Sequence, residues 1–110
     1  MTLLLLALAV PQQGVQVDTG FPGGNAIIEK VEGDTVSLRP DLRDTDRDWF
    51  YWLFRVRGAG GRTVRFQFTK PNVIGVLGPA VSRDGGETWA WLGADSVKGN
   101  SFQYAFPSDA

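Results

Sequence analysis

The chain has 110 residues, a net charge near zero (11 basic against 12 acidic side chains), 14 glycines, and neither histidine nor cysteine. That length allows one domain, which buries roughly 65% of the surface its unfolded chain exposes. Without histidine or cysteine there is no imidazole base, no thiolate nucleophile, no thiolate metal site and no disulfide frame, and without a basic field there is no attraction for a phosphate backbone.

From the N-terminus, Leu3 to Val10 is an unbroken apolar run, and Ala7-Leu8-Ala9 has the small-x-small form of a cleavage site. The run is too short to span a bilayer. Residues 1–14 therefore read as a secretory signal peptide with its lead-in, which implies a secreted or periplasmic protein, although no Lys or Arg precedes the run. A buried strand, or a start codon placed slightly off, is the plainer alternative and would leave a cytoplasmic chain. Residues 15–110 form the domain. Val15 to Gly24 reads as an irregular lead-in, with a turn at Pro22, Gly23 and Gly24.

Ala26 to Val31 is a candidate first strand, Glu32 to Asp34 is a turn, and Thr35 to Arg39 alternates around Val36 and Leu38 until Pro40 ends it. A charged loop follows. In it, Asp44, Asp46 and Asp48 have the alternating spacing that opens a calcium loop, but Trp49 and Arg55 stand where the glycine and the closing glutamate belong. Arg43 and Arg47 neutralise the cluster, so a solvated, self-paired loop fits better.

Trp49 to Arg57 has apolar residues at every even position, Phe50, Trp52, Phe54 and Val56. Arg62 to Thr69 alternates cleanly, with Val64, Phe66 and Phe68 directed inward. The two segments predict a hairpin closed near Gly58 to Gly61. Val73 to Leu77 is a further short apolar strand, broken by Gly78-Pro79.

"SRDGGETW", Ser82 to Trp89, has the Ser-x-Asp-x-Gly-x-Thr-Trp spacing of the Asp-box found in sialidases and related propellers. Its physics is that of a turn. Asp84 can accept backbone N–H donors, Gly85 and Gly86 tolerate positive φ, and Thr88 and Trp89 begin the returning strand with the indole over the turn. Ser82, Asp84, Gly86, Thr88 and Trp89 are thus assigned a structural role. One domain cannot hold the blades and the arginine cluster that a sialidase needs. Val81 to Trp91 predicts a tight hairpin, and Ser101 to Phe106 alternates with Phe102, Tyr104 and Phe106 on one side.

No segment shows helical periodicity over three turns. Seven or eight short strands with frequent turns predict an all-β fold, an antiparallel β-sandwich. No paired carboxylates stand out among Glu29, Glu32 and Glu87, and Ser82 and Ser101 have no base to activate them. Trp49, Tyr51 and Trp91 are candidates for a surface or interface, since exposed aromatics on a sandwich can stack on sugar rings. Against this, Trp89 and Trp91 share one side of a strand, and a small sandwich would place both in its core.

Several landmarks together resemble a known family. They are "GGN" at Gly23 to Asn25, "LRPDLRDT" at Leu38 to Thr45, "WFYWLFRV" at Trp49 to Val56, "RTVRFQF" at Arg62 to Phe68, "GPAVSRDGGETWAWLG" at Gly78 to Gly93 and "FQYAF" at Phe102 to Phe106. In this order they are similar to the N-terminal domain of zinc carboxypeptidases of the cytosolic-carboxypeptidase-like type, over Asp18 to Phe106. The resemblance implies a β-sandwich that precedes a peptidase domain and supports its folding or substrate access. It also implies that the zinc, with its histidine and glutamate ligands, belongs to that following domain and that no cofactor is held here. The implied partner is the catalytic domain, in cis or in trans. A secreted carbohydrate-binding module is the alternative, and a calcium-stabilised adhesion module is a third.

Overall fold

The computed structural model describes residues 14–42 and 51–108. Nine short strands and one turn of 3-10 helix, Ala94–Ser96, make up its regular structure. The protein is all-β. The strands are β1 (Gln16–Asp18), β2 (Ile27–Glu32), β3 (Thr35–Arg39), β4 (Arg55–Arg57), β5 (Thr63–Phe68), β6 (Ala80–Val81), β7 (Ala90–Trp91), β8 (Val97–Lys98) and β9 (Ser101–Ala105).

The main sheet has five strands in the order β2-β3-β5-β9-β8. Its centre is β5, where polar and apolar residues alternate as the sequence predicts: Val64, Phe66 and Phe68 are buried, and Thr63, Arg65 and Gln67 are exposed. β3 has the predicted bounds and buries Val36 and Leu38. β2 and β3 form a hairpin about Gly33-Asp34, with Glu32 opposite Thr35. A register shift between Ile28 and Lys30 leaves Glu29 in a bulge, from which its carboxylate reaches Arg39 (2.8 Å) and the Thr69 hydroxyl (3.1 Å). One pairing departs from antiparallel: β3 runs parallel to β5, with Val36 beside Phe66 and Leu38 beside Phe68.

A second, smaller layer lies over the buried side of this sheet. β1 pairs antiparallel with β4, and an isolated bridge joins Asn25 to Leu53. The segment Trp52-Phe54-Val56 sends its rings onto the main sheet. Trp52 lies 4.8 Å from Phe68 and 5.9 Å from Phe102, and Phe54 lies 5.3 Å from Phe66. Phe66 in turn stacks on Phe102 at 5.0 Å. Such offset and tilted pairs add to what area burial already contributes. Val15, Ala26, Ala59 and Val73 close the edges of this core. The arrangement is sandwich-like, with one full sheet and one partial one.

Three sequence expectations are corrected here. β4 and β5 are not a hairpin, because β4 pairs with β1 and β5 pairs with β3 and β9. Between them the chain arches from one layer to the other. The Gly61 N–H is bound by the carbonyls of Phe106 and Pro107, and Arg62 by Ala59, so the turn is anchored to the C-terminal strand and not to β4. The apolar sides of the two segments therefore meet across the core instead of lying side by side.

Gln16 to Asp18, read as irregular, is a strand. Its pairing is helped by Asp18, which receives two bonds from Arg55 (2.8 and 3.3 Å). Val73 to Leu77 is not a strand. Asn72 has φ 60, and only Val73 of this apolar run is fully buried. The Val73 carbonyl accepts the Trp52 indole N–H (2.8 Å), which fixes the segment by a side chain in place of a ladder.

Candidate functional site

The sequence-predicted turn residues come together in the loop between β6 and β7, and each makes the contact its chemistry favours. The Asp84 carboxylate accepts the N–H groups of Glu87 (3.1 Å) and Thr88 (2.9 Å) and the hydroxyls of Ser82 (2.8 Å) and Thr88. The Ser82 oxygen in turn accepts the Gly86 N–H at 2.8 Å. Gly85 and Gly86 have φ 76 and 96, a region costly for any residue with a Cβ. The Trp89 indole folds back over the turn and donates to the Gly86 carbonyl at 3.0 Å.

This donor set holds the Asp84 carboxyl down at about 2, against an ordinary 3.8. The Thr88 hydroxyl is the largest cause, followed by the Thr88 N–H and the Ser82 hydroxyl. Chemically the loop is a closed acceptor–donor ring. Each oxygen of Asp84 faces a donor of its own turn.

What the hairpin offers the outside is a polar tip with two large indoles behind it. Every residue from Arg83 to Trp91 is exposed. Trp89 is 50% and Trp91 63% exposed, which corrects the expectation that this pair is core. The reason is topological. β6 and β7 form a separate two-stranded ladder, Ala80 with Trp91 and Val81 with Ala90, and among the described residues no second layer covers it. At its base the ladder continues irregularly: the Leu92 N–H donates to Pro79 and the Gly93 N–H to Leu77, both at 2.9 Å.

This continuation brings Leu77 (52% exposed) and Val76 (87%) to the same end of the domain as Trp91. Four large apolar side chains thus stand on one hairpin and its base, and sequence reasoning had assigned Val76 and Leu77 to a strand. Only a count of the flanking breakers, Asn72, Gly75 and Gly78, could have signalled their release to solvent.

Tyr51 is 44% exposed but belongs elsewhere, since its hydroxyl donates to the Gly23 carbonyl. Trp49, the aspartates of the calcium-like spacing and the N-terminal apolar run lie outside the described residues. Among the described residues no three Asp or Glu side chains gather as a metal site, and no helix is long and apolar enough to cross a membrane. Ser101 is buried, and its hydroxyl donates to the Lys98 carbonyl (3.0 Å).

Fold and hairpin together define a small all-β sandwich carrying an Asp-box turn. Compared with protein-family models, with curated proteins and with solved structures, the chain matches none.

Proposed function

We propose that this chain is a non-catalytic accessory module that docks the exposed apolar side chains of its β6–β7 hairpin and base against a larger partner, and that the partner is the catalytic domain of a zinc carboxypeptidase. The observation that carries the docking reading is the exposure of four large apolar side chains, Val76, Leu77, Trp89 and Trp91, on one hairpin and its base. Aromatic anchors of this kind dominate protein interfaces, whereas a monomer gains nothing from leaving them in water. The Asp-box ring supports the same reading, because it holds the hairpin in shape before any partner arrives.

The choice of partner rests on the sequence resemblance. Its chemistry is supported by subtraction: the chain has no histidine or cysteine, so zinc and the reaction it assists belong to the partner. With its apolar leader, the module is proposed to work outside the cytoplasm.

Mixing the 110-residue chain with a separately produced catalytic domain of such an enzyme tests this. A complex is expected, with the fluorescence of Trp89 and Trp91 shifted to the blue. Trp91→Ala should weaken it at least tenfold while leaving stability within about 0.5 kcal/mol, as for an exposed side chain. Peptide hydrolysis by the isolated chain with added zinc would overturn the non-catalytic assignment.

The exposed indoles also favour a second reading, a carbohydrate-binding module. Neither indole stacks on another ring among the described residues, so a ring face is free for a sugar. Glycan-array binding that vanishes in Trp91→Ala, with no complex formed by the catalytic domain, would select it.

A further inference from the structure

We infer that the polar face of the five-stranded sheet carries a binding site for a small oxyanion, a carboxylate or a phosphate. The site adjoins the base of the hairpin, where the Ser96 hydroxyl meets the Gly93 carbonyl, but its argument does not depend on the docking reading. On that face β5 presents Arg65 and β9 presents Gln103, directly opposite one another. With edge strand β8 and the 3-10 turn before it, they bound a recess of about 370 Å³ whose lining is completed by Asp95, Ser96, Lys98, Ser101 and Phe102.

The hydrogen-bond inventory of the recess is weighted toward donors. The Ser101 hydroxyl donates to the Lys98 carbonyl (3.0 Å) and the Ser96 hydroxyl to the Gly93 carbonyl (2.8 Å), so neither has a proton left for a ligand. Of the strong groups that remain, the Arg65 guanidinium, the Lys98 ammonium and the Gln103 carboxamide NH2 offer donors, against the acceptor oxygens of Asp95 and of the Gln103 carboxamide.

The charge pattern points the same way. Elsewhere on the domain four cations meet carboxylates, in Arg39–Glu29 (2.8 Å), Arg55–Asp18 (2.8 Å), Lys30–Glu32 (3.4 Å) and Arg62–Asp34 (3.6 Å), and Arg57 stands outside any ion pair among the described residues. Arg65 and Lys98 enter no ion pair among the described residues. The cross-strand neighbours of Arg65 are Thr35 and Gln103, both neutral.

A planar fork, an ammonium and an amide around one recess complement an oxyanion, which can accept two parallel bonds from the fork. Asp95 is the one carboxylate of the recess. It disfavours anions of high charge and favours a ligand with a hydroxyl or ammonium beside its oxyanion.

Titrating the isotope-labelled 110-residue chain with sodium phosphate, and separately with sodium acetate, tests the site. The reference is sodium chloride at the same ionic strength, and the readout is the amide resonances. The expected result is saturable shifts at Ser96, Lys98 and Gln103, with affinity reduced about tenfold in Arg65→Gln and in Lys98→Gln, the loss of one charge-assisted bond. Arg57→Gln, an exposed cation outside the recess, should leave the affinity unchanged.

Tighter binding of phosphate would identify a phosphorylated ligand, and tighter binding of acetate a carboxylate. Equal shifts in chloride, or equal weakening in Arg57→Gln and Arg65→Gln, would overturn the site.

Discussion

Asp84 shows how one side chain can hold a loop that has no core beneath it. Its carboxyl stands at about 2 because donors from Thr88, Ser82 and Glu87 favour the ionised form, and in an unfolded chain those donors disperse. A depressed carboxyl contributes stability at every pH above its unfolded value of 3.8, and that contribution is lost as pH falls through about 2. The Trp89 indole resonance, bonded to the Gly86 carbonyl of the same turn, should therefore titrate with a midpoint near 2. In Thr88→Val, where the largest cause is removed, the midpoint should climb toward 3.8; an unmoved midpoint would contradict the assignment. The backbone bonds to Asp84 were legible in the sequence because Asp and Gly at this spacing favour such a turn, but the Ser82 and Thr88 hydroxyl bonds were not, and the returning strand starts at Ala90 where Thr88 was expected. The exposure of Trp89 and Trp91 was not legible. Alternation tells which residues share a side of a strand, and it is silent on whether anything covers that side.

Among the elements, β3 and β5 were readable almost to the residue, since both are half-buried strands whose side chains alternate between core and water. Their partners were not. The arch at Gly58 to Gly61 looks like a hairpin loop in sequence, because glycine permits both and only the layers distinguish them. β1 escaped notice because three residues beside Thr19-Gly20 carry too little periodicity. The base of the β6–β7 hairpin makes a sharper prediction. Gly78 has φ 74, and a Cβ there would lie 2.5 Å from the Gly93 carbonyl oxygen. Gly78→Ala should cost about 2 kcal/mol or more, from left-handed strain and from forcing the two chains apart. Urea denaturation measures it, and a cost below about 0.5 kcal/mol would show that the base yields freely. In the core, Phe66→Ala removes a ring that touches Phe54, Phe102 and Phe106 and should cost about 3–5 kcal/mol by the same measurement.

At the scale of the molecule, packing is concentrated at one place. The buried apolar residues belong to the five-stranded sheet and the partial layer over it, while the hairpin from Arg83 to Trp91 buries nothing. Hydrogen exchange should divide accordingly. Amides of β5, paired on both sides, should exchange only through global unfolding. Those of β7 should exchange through local opening, faster by at least a hundredfold. Uniform protection across both would mean that the hairpin is coupled to the core more tightly than its burial indicates. Fold class was legible at this scale from glycine frequency, strand spacing and aromatic alternation. The crossing of β3 to a parallel β5 was not, because it depends on which distant segments meet.

The placement of β9 has a consequence for synthesis. Thr63–Phe68 takes Thr35–Arg39 as a neighbour on one flank, and that neighbour has already been translated. Its other flank waits for Ser101–Ala105, more than thirty residues later in the chain. While the ribosome makes the intervening stretch, a nascent polypeptide displays a row of free amides and carbonyls beside Val64, Phe66 and Phe68, a template for pairing with any neighbouring nascent chain. Arg65 and Gln67 punctuate that row at alternate positions and act as gatekeepers until the closing strand leaves the exit tunnel.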